Sequence, residues 1–252
     1  MTVRGLFRKT HRWLGLLMAL QIIAWMASGL WFSIFPIEEI RGEHLTRPAE
    51  RLEVTGLDGL ASPATLEAAL DQHFDGSPWT LSSARWVRQG GQLYWRVSGE
   101  SAGDAFTRLV GAGDAQVQPM LTAAAAEQQA LYWLLDPVKP EAVEWVSQGA
   151  EDSEIRGRDL PLWRVRFRLP ESLNLYLEPW TGEIVARRTE RWRVFDFFWM
   201  LHIMDFDGRE DFNHPLLQIA AALGLIISLS GVGLWALTTR ILRRRTPQQA
   251  AR

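Results

Sequence analysis

Two long runs of apolar residues lie near the two ends of the chain. The run 14–35 has 22 residues, with one Gln, two Ser and no charge, and the run 215–237 has 23 residues, again without charge. A bilayer core about 30 Å thick needs about 20 helical residues, since each residue of a helix rises ~1.5 Å. The pattern therefore predicts two transmembrane helices, at 14–35 and 214–237.

Two other interpretations of the first run are open. A cleaved signal peptide has an apolar stretch of about 7–15 residues, followed by a cleavage site between small residues. This run is longer, contains Trp25 and Trp31, and ends in Ile34-Phe35-Pro36 without such a site. A buried helix of a soluble domain would show a polar side. A spanning helix explains the run better than either alternative.

The charged residues are sorted along the chain, and the sorting predicts an orientation. Nine of the 27 basic residues lie in the tails 1–13 and 238–252, which contain no acid. The other 18 basic residues and all 29 acidic residues lie between the tails, so the middle of the chain has a net charge of −11. Because basic flanks of spanning helices stay in the cytoplasm, we expect a multi-pass protein of a bacterial inner membrane. Both termini would be cytoplasmic and 36–213 periplasmic.

The segment between the two helices contains one pattern twice. After a connector at 36–60, the units 61–118 and 119–190 each open with a helical stretch, the first with Ser62 as N-cap and Pro63 next to it. Three matching stretches follow in the same order: Trp86–Gly90 with Trp145–Gly149, Leu93–Val97 with Leu162–Val165, and Leu109–Val117 with Tyr176–Val185. We interpret the two units as a duplication.

The residues after each predicted helix alternate between apolar and polar with period two. Glycine-bearing turns at 111–114 and 180–183 interrupt the alternation, which is typical of antiparallel hairpins with one buried face. The expected fold class is therefore an α+β periplasmic domain of two helix-plus-antiparallel-sheet units, flanked by two transmembrane α-helices. The segment 191–213, which contains the aromatic run 195–206, is predicted to be an amphipathic helix in the membrane interface.

Composition and motifs exclude several classes of function. The chain has no cysteine, which excludes disulfides, thiolate metal sites and cysteine nucleophiles. The sequence holds no phosphate loop, dinucleotide fingerprint or zinc signature, and the acidic middle argues against nucleic-acid binding. The stretch from Asp205 to Asp211 lacks the spacing and closing Glu of a calcium loop, so we interpret it as a polar turn.

Several of these stretches resemble the PepSY domain and the PepSY-associated transmembrane helices. The resemblance lies in the strand and turn ending at Trp180–Ile184, and in the helix motifs His11–Gly15, Ser28–Leu30, Leu201–His202 and Ser230–Trp235. Some members of this family, mostly with four spans, resemble haem-carrying reductases that deliver electrons across the inner membrane to iron-siderophores. Other PepSY domains are similar to peptidase modulators or binding modules.

Three of the five histidines lie at the ends of the predicted spans. Imidazole is a common axial ligand of haem, and the resemblance implies this role. His202 and His214 would hold one haem if the interfacial helix folds back. His11 lies about 33 Å away across the first span and would need a second subunit. The structural alternative makes His11 part of the basic anchor and lets the other two bind headgroups or backbone carbonyls.

Two functions from different classes are consistent with these observations. The first is an accessory or haem-carrying subunit of an electron-transfer system that crosses the membrane, of the iron-siderophore reduction type. The second is a non-catalytic periplasmic module that binds or regulates a peptidase or a partner subunit. The expected partners are the lipid bilayer and either a second copy of the chain or other membrane subunits, with no nucleic acid.

Overall fold

The computed structural model describes residues 3–50, 59–148, 153–168 and 171–238 of the chain. The chain divides into two compact units, which are described separately. The helical unit comprises residues 1–36 and 194–252, and the α+β unit comprises residues 37–193.

The helical unit contains two long apolar helices, α1 (Val3–Ile34) and α6 (Pro215–Thr238). Both are long and apolar enough to cross a bilayer, over Gly5–Ile34 and Pro215–Thr238, which confirms the two predicted apolar helices. The first begins well before residue 14, because the basic residues that precede the apolar run continue the same helix. The sequence pattern identified only the apolar part.

α1 and α6 pack as an antiparallel pair. Met18, Ala220 and Ile227 are buried between them, whereas apolar residues on the other sides of both helices, such as Leu20 and Leu229, are exposed. Helices that are apolar on all sides are typical of membrane spans.

Two glycines of α6 let the helices approach closely. A Cβ atom on Gly233 would lie 2.6 Å from the Phe7 ring, and one on Gly231 would lie 3.2 Å from the His11 ring. A Cβ atom on Gly15 or Gly29 of α1 would have no neighbouring atom within 4 Å. Close packing thus depends on the glycines of α6 rather than on those of α1.

A third helix, α5 (Glu190–Ile203), extends along the last turns of α1. The rings of Phe195 and Phe32 lie 4.8 Å apart at one end of this contact. At the other end, Gln21 donates a hydrogen bond to the Leu201 carbonyl over 3.0 Å. These contacts align α5 with residues 21–32 of α1. The predicted position of 191–213 in the plane of the interface stays a prediction.

The loop between α5 and α6 is held by acidic side chains. The Asp205 carboxylate accepts hydrogen bonds from the backbone N–H groups of Gly208, Glu210 and Asp211 over 3.0–3.2 Å. These bonds, led by the one from Asp211, lower the pKa of Asp205. The Asp196 side chain is buried and forms an ion pair with Arg209. The segment 205–211 therefore has the hydrogen bonding of a polar turn.

In its described residues, the α+β unit contains two antiparallel sheets, three α-helices that lie wholly within it and two short 3-10 helices, Glu43–Leu45 and Ser153–Ile155. Its elements in chain order are α2 (Ile37–Ile40), α3 (Pro63–His73), β1 (Trp79–Gln89), β2 (Gln92–Ser101), β3 (Asp104–Gly111), α4 (Ala123–Trp133), β4 (Ala142–Val146), β5 (Leu162–Arg166), β6 (Asn174–Leu177) and β7 (Ile184–Arg188). The sheet orders are β1-β2-β3 and β4-β5-β6-β7. The α+β class with antiparallel sheets is thereby confirmed.

Each sheet packs against the helix that precedes it. Leu66 and Leu70 of α3 are buried with Val97 and Val110 of the first sheet. On the second sheet, Ala130 and Trp133 of α4 are buried in a cluster with Val165, Leu173, Leu175 and Leu177. Both helices begin at a hydroxyl N-cap, since Ser62 accepts from the Thr65 N–H and Thr122 accepts from the Ala125 N–H.

The first strand differs from the prediction because its first half is exposed on both faces. β1 begins at Trp79, seven residues before the predicted start at Trp86, and residues 80–85 are all exposed. A strand with no buried face shows no apolar alternation, so hydropathy gives no signal there. The backbone pairing of β1 with β2 nevertheless continues to Trp79, with an irregularity between Leu81 and Ser83.

The two sheets contact each other through a cluster around Trp180. The Arg108 guanidinium lies 3.6 Å from the centre of the Trp180 ring, and its Nε donates to His73 Nε2 over 3.2 Å. Burial and the nearby Arg108 charge both lower the pKa of His73. His73 therefore accepts this hydrogen bond as a neutral imidazole.

We predict that replacing Gly233 with Ala weakens the pairing of α1 and α6, because the added methyl overlaps the Phe7 ring. Overpacking of this kind costs about 1–3 kcal/mol. The matched control is Gly29→Ala, where the Cβ has open space. The free energy of unfolding in mixed detergent micelles should fall for Gly233→Ala only. Equal losses in both variants would contradict the packing assigned to Gly233.

We also predict that the stability of the protein depends on pH through His73. A histidine whose pKa is lower in the folded state contributes stability that is fully present above its unfolded pKa of about 6.5. This stability is lost as the pH falls through the folded pKa. Denaturation midpoints between pH 7.5 and 5 should therefore change less in His73→Gln than in the wild type. His44→Gln is the control, and a slope equal to the wild type in His73→Gln would refute the role of His73.

Candidate functional site

His11 packs against α6 near one end of the helix pair. Its Nδ1 lies 3.1 Å from the Ser230 hydroxyl oxygen and 3.2 Å from the Ile227 carbonyl oxygen. The Ser230 hydroxyl donates its one proton to the same carbonyl over 2.7 Å. Both neighbours of Nδ1 are then acceptors, so Nδ1 carries the proton. The lone pair of the neutral ring is consequently on Nε2.

His202 repeats this arrangement at the other end of the pair. Its Nδ1 lies 2.7 Å from the hydroxyl oxygen of Ser28 in α1, and this hydroxyl donates to the Ala24 carbonyl over 2.7 Å. With that proton on the Ala24 carbonyl, Nδ1 of His202 donates to the hydroxyl oxygen, and the lone pair of the neutral ring is on Nε2.

Neither Nε2 atom has a hydrogen-bond partner among the residues that the structure describes. The surroundings of His202 are aromatic, with Phe32 at 5.6 Å and Trp199 stacked nearly parallel at 6.5 Å between ring centres. Trp31, one turn beyond Ser28, has a buried indole N–H for which the described residues supply no acceptor. At this end of the helix pair, His202 Nε2 and the Trp31 indole N–H thus have no partner among the described residues.

His214 is held differently, although the turn does bring it back to the end of α5. Its Nε2 lies 2.8 Å from the Ile203 carbonyl oxygen, so this nitrogen donates. Its Nδ1 accepts from the Leu217 N–H over 3.4 Å. Both ring nitrogens are therefore used by the backbone. His214 therefore links the end of α5 to the first turn of α6 through hydrogen bonds.

The two imidazoles with an unused nitrogen belong to separate sites. His11 and Ser28, the partner of His202, are 17 residues apart on α1, which corresponds to ~25 Å along a helix. Each end of the pair thus offers one imidazole. The described residues contain no group of three or more His, Asp or Glu side chains that could hold a metal ion.

The residues at the two ends fit a haem group to different degrees. An axial ligand needs the Nε2 lone pair, and its other nitrogen is commonly fixed by a hydrogen bond to the protein. His11 and His202 meet both conditions. His214 fails the first, because its Nε2 donates to the Ile203 carbonyl. Sequence reasoning identified the histidines but missed their partners Ser28 and Ser230, although each serine stands next to a glycine in a predicted span.

Two apolar helices long enough to span a bilayer, with an α+β unit between them in the sequence, define a membrane protein. The chain belongs to the family described as the PepSY-associated TM region, which matches residues 8–252. The predicted resemblance is thereby confirmed. No curated protein and no solved structure matches the chain.

We predict that Ser28→Ala weakens the contact between α1 and α5, because the His202 Nδ1–H loses its acceptor in an apolar environment. Polar contacts between membrane helices contribute about 0.5–1.5 kcal/mol. The control is Ser33→Ala, since Ser33 is exposed and bonds only to the Leu30 carbonyl of its own helix. The free energy of unfolding in mixed micelles should fall for Ser28→Ala and not for Ser33→Ala. Equal values would contradict the hydrogen bond assigned between Ser28 and His202.

Proposed function

We propose that this protein is a haem-carrying membrane subunit that serves electron transfer across the bacterial inner membrane. The observation that carries the proposal is the pair of imidazoles at opposite ends of the apolar helix pair, each with Nδ1 against a serine hydroxyl. Each is fixed through Nδ1 by a serine hydroxyl and keeps the Nε2 lone pair. A haem supplies a one-electron redox centre when bound.

The residues around the two histidines have distinct roles in this proposal. His11 and His202 would hold the haem iron through Nε2. Ser230 and Ser28 hold the rings in one tautomer and increase the basicity of Nε2. The Trp25 indole donates to the His202 carbonyl over 2.7 Å, which fixes the end of α5. Phe32 and Trp199 exclude water from the ligand at this end.

His214 has a structural role in the proposal. Because both of its ring nitrogens bond to backbone groups, it positions the turn that carries His202. This assignment departs from the sequence-based expectation that His202 and His214 share one haem.

A second imidazole at each site comes from outside the described chain. The exposed apolar sides of α1 and α6 are suited to lipid or to further spanning helices. We propose a second copy of the chain as the partner, since a two-fold axis would bring like ends together and make four spans. Another membrane subunit is the alternative.

The orientation and the repeat are also part of the proposal. The basic tails favour cytoplasmic termini, which leaves the acidic α+β unit in the periplasm. The two sheets support a duplication through equivalent turns, since Gly111 donates to Gln116 and Glu178 to Glu183, each over 2.9 Å. The tryptophan pairs Trp86–Trp95 and Trp145–Trp163 are similar too, with ring centres 5.0 Å and 4.9 Å apart.

Iron-siderophore complexes are the proposed class of electron acceptor, through the resemblance to four-span reductases of this family. A second candidate function is a periplasmic binding module without redox activity. A cavity of the α+β unit lined by arginine, described below, favours this second function. The two functions differ in whether the purified protein carries haem.

We predict that the full chain, purified from cells supplied with haem, shows a Soret band. His11→Gln and His202→Gln should each lower the haem content by about half, because glutamine keeps a donor for the serine but has no ring lone pair. His214→Gln is the control and should retain haem. A colourless wild type, or equal haem loss in all three variants, would overturn the proposal.

The molar mass of the coloured species in detergent then identifies the source of the second ligand. Haem that elutes only with a species of two chains supports the homodimer. Haem that elutes with a co-purified different protein supports the other membrane subunit.

A further inference from the structure

The α+β unit contains a groove between the outer strands of its two sheets. β1 is the outermost strand of the first sheet and β7 of the second. A cavity of about 410 Å³ is lined by residues 85–89 of β1, by Glu183, Ile184 and Arg187 at β7, by Arg47, Ala49 and Glu50, and by Trp133 of α4. This volume lies in the range of small-molecule sites, about 300–1,000 Å³. We call it the edge groove.

The edge groove has an excess of positive charge. It is lined by four arginines, Arg47, Arg85, Arg88 and Arg187, and by two acids, Glu50 and Glu183. Both acids already have donors. Glu183 accepts from Arg96 over 3.0 Å, and Glu50 accepts from the Tyr132 hydroxyl.

Two of these arginines bond to neutral oxygen atoms. The Arg187 Nε donates to the Thr46 hydroxyl over 2.7 Å, and the Arg47 Nε donates to the Leu134 carbonyl over 3.3 Å. Neither forms an ion pair with a carboxylate among the described residues. Burial lowers the pKa of Arg187, which reports the cost of keeping this cation away from water. An anion in the groove would offset that cost.

The apolar part of the lining comes mainly from two tryptophans. Trp133 is held by a hydrogen bond from its indole N–H to the Gly182 carbonyl over 2.8 Å. Trp86 packs edge-on against Trp95, and its buried indole N–H has no acceptor among the described residues. A groove with fixed aromatic walls and several guanidinium groups suits a ligand with both flat apolar and anionic parts.

We infer that the edge groove binds a small ligand that carries two or more carboxylate or phosphate groups. The guanidinium groups of Arg47, Arg85, Arg88 and Arg187 bind its anionic groups, and Trp86 and Trp133 contact its body. This site lies outside the helical unit and does not depend on haem. It gives the α+β unit a binding function in either of the two proposed roles.

The test uses the full chain in non-ionic detergent at constant ionic strength, with calorimetric titration of three probes. Citrate and pyrophosphate represent the carboxylate and phosphate classes, and hexaglutamate represents an acidic peptide. We expect saturable binding of citrate or pyrophosphate, and the stronger of the two identifies the chemical class. Binding of hexaglutamate alone, or of no probe at millimolar concentration, would overturn the inference.

Single substitutions then locate the bound anion. Arg85→Gln, at an exposed position of β1 that tolerates change, should weaken binding about tenfold through the loss of a charged hydrogen bond. Glu50→Gln should strengthen it about fivefold, since it removes a negative charge and keeps an acceptor for Tyr132. Arg41→Gln is the control for net charge and should change the affinity less than about twofold.

Opposite effects of Arg85→Gln and Glu50→Gln cannot arise from misfolding, because a misfolded protein would lose affinity in both. Equal weakening by Arg85→Gln and Arg41→Gln would show non-specific attraction to a charged surface and would overturn the inference. The absorption spectrum of each variant is recorded in the same samples, so loss of anion binding and loss of haem are distinguished.

Discussion

The absence of water in the hydrocarbon core of a bilayer is the constraint on which the helical unit depends. A polar group there has to find its partner within the protein. Ser28 and Ser230 satisfy this requirement by donating to carbonyls of their own helices. Each hydroxyl has one proton, so once this proton is used the oxygen can only accept. An imidazole that faces such an oxygen donates to it from Nδ1, so the hydrogen bonds of the two serines favour the same tautomer in both histidines.

The fold could be predicted where its physical cause is local. Length and hydropathy identified both apolar helices, because a span needs about 20 apolar residues in one run. Apolar alternation identified β2, β5 and most of the hairpins, because one face of these strands is buried. Hydropathy does not identify a strand or helix segment that has no buried apolar face. Residues 80–85 of β1 are exposed on both faces, and the basic first turns of α1 are helical without being apolar.

The histidines of the candidate site could be named from the sequence, but their hydrogen bonds could not. The positions of His11, His202 and His214 follow from the ends of the spans and from the family motifs. Their partners do not, since Ser28 and His202 are 174 residues apart in the sequence and His11 and Ser230 are 219 apart. Spacing along the chain also could not distinguish His202 from His214. The distinction rests on which nitrogen meets a carbonyl oxygen, and only three-dimensional contacts supply that information.

The single imidazole at each end of the helix pair has a consequence for assembly. A haem that needs one ligand from each of two chains binds the associated form and not the separate chain, so the cofactor stabilises the association by mass action. Occupancy would then rise with roughly the square of the density of chains in the membrane rather than in proportion to it. Sparse chains would stay without haem even where haem is abundant. In the proposed haem role, the redox centre would therefore form mainly where chains are dense in the membrane.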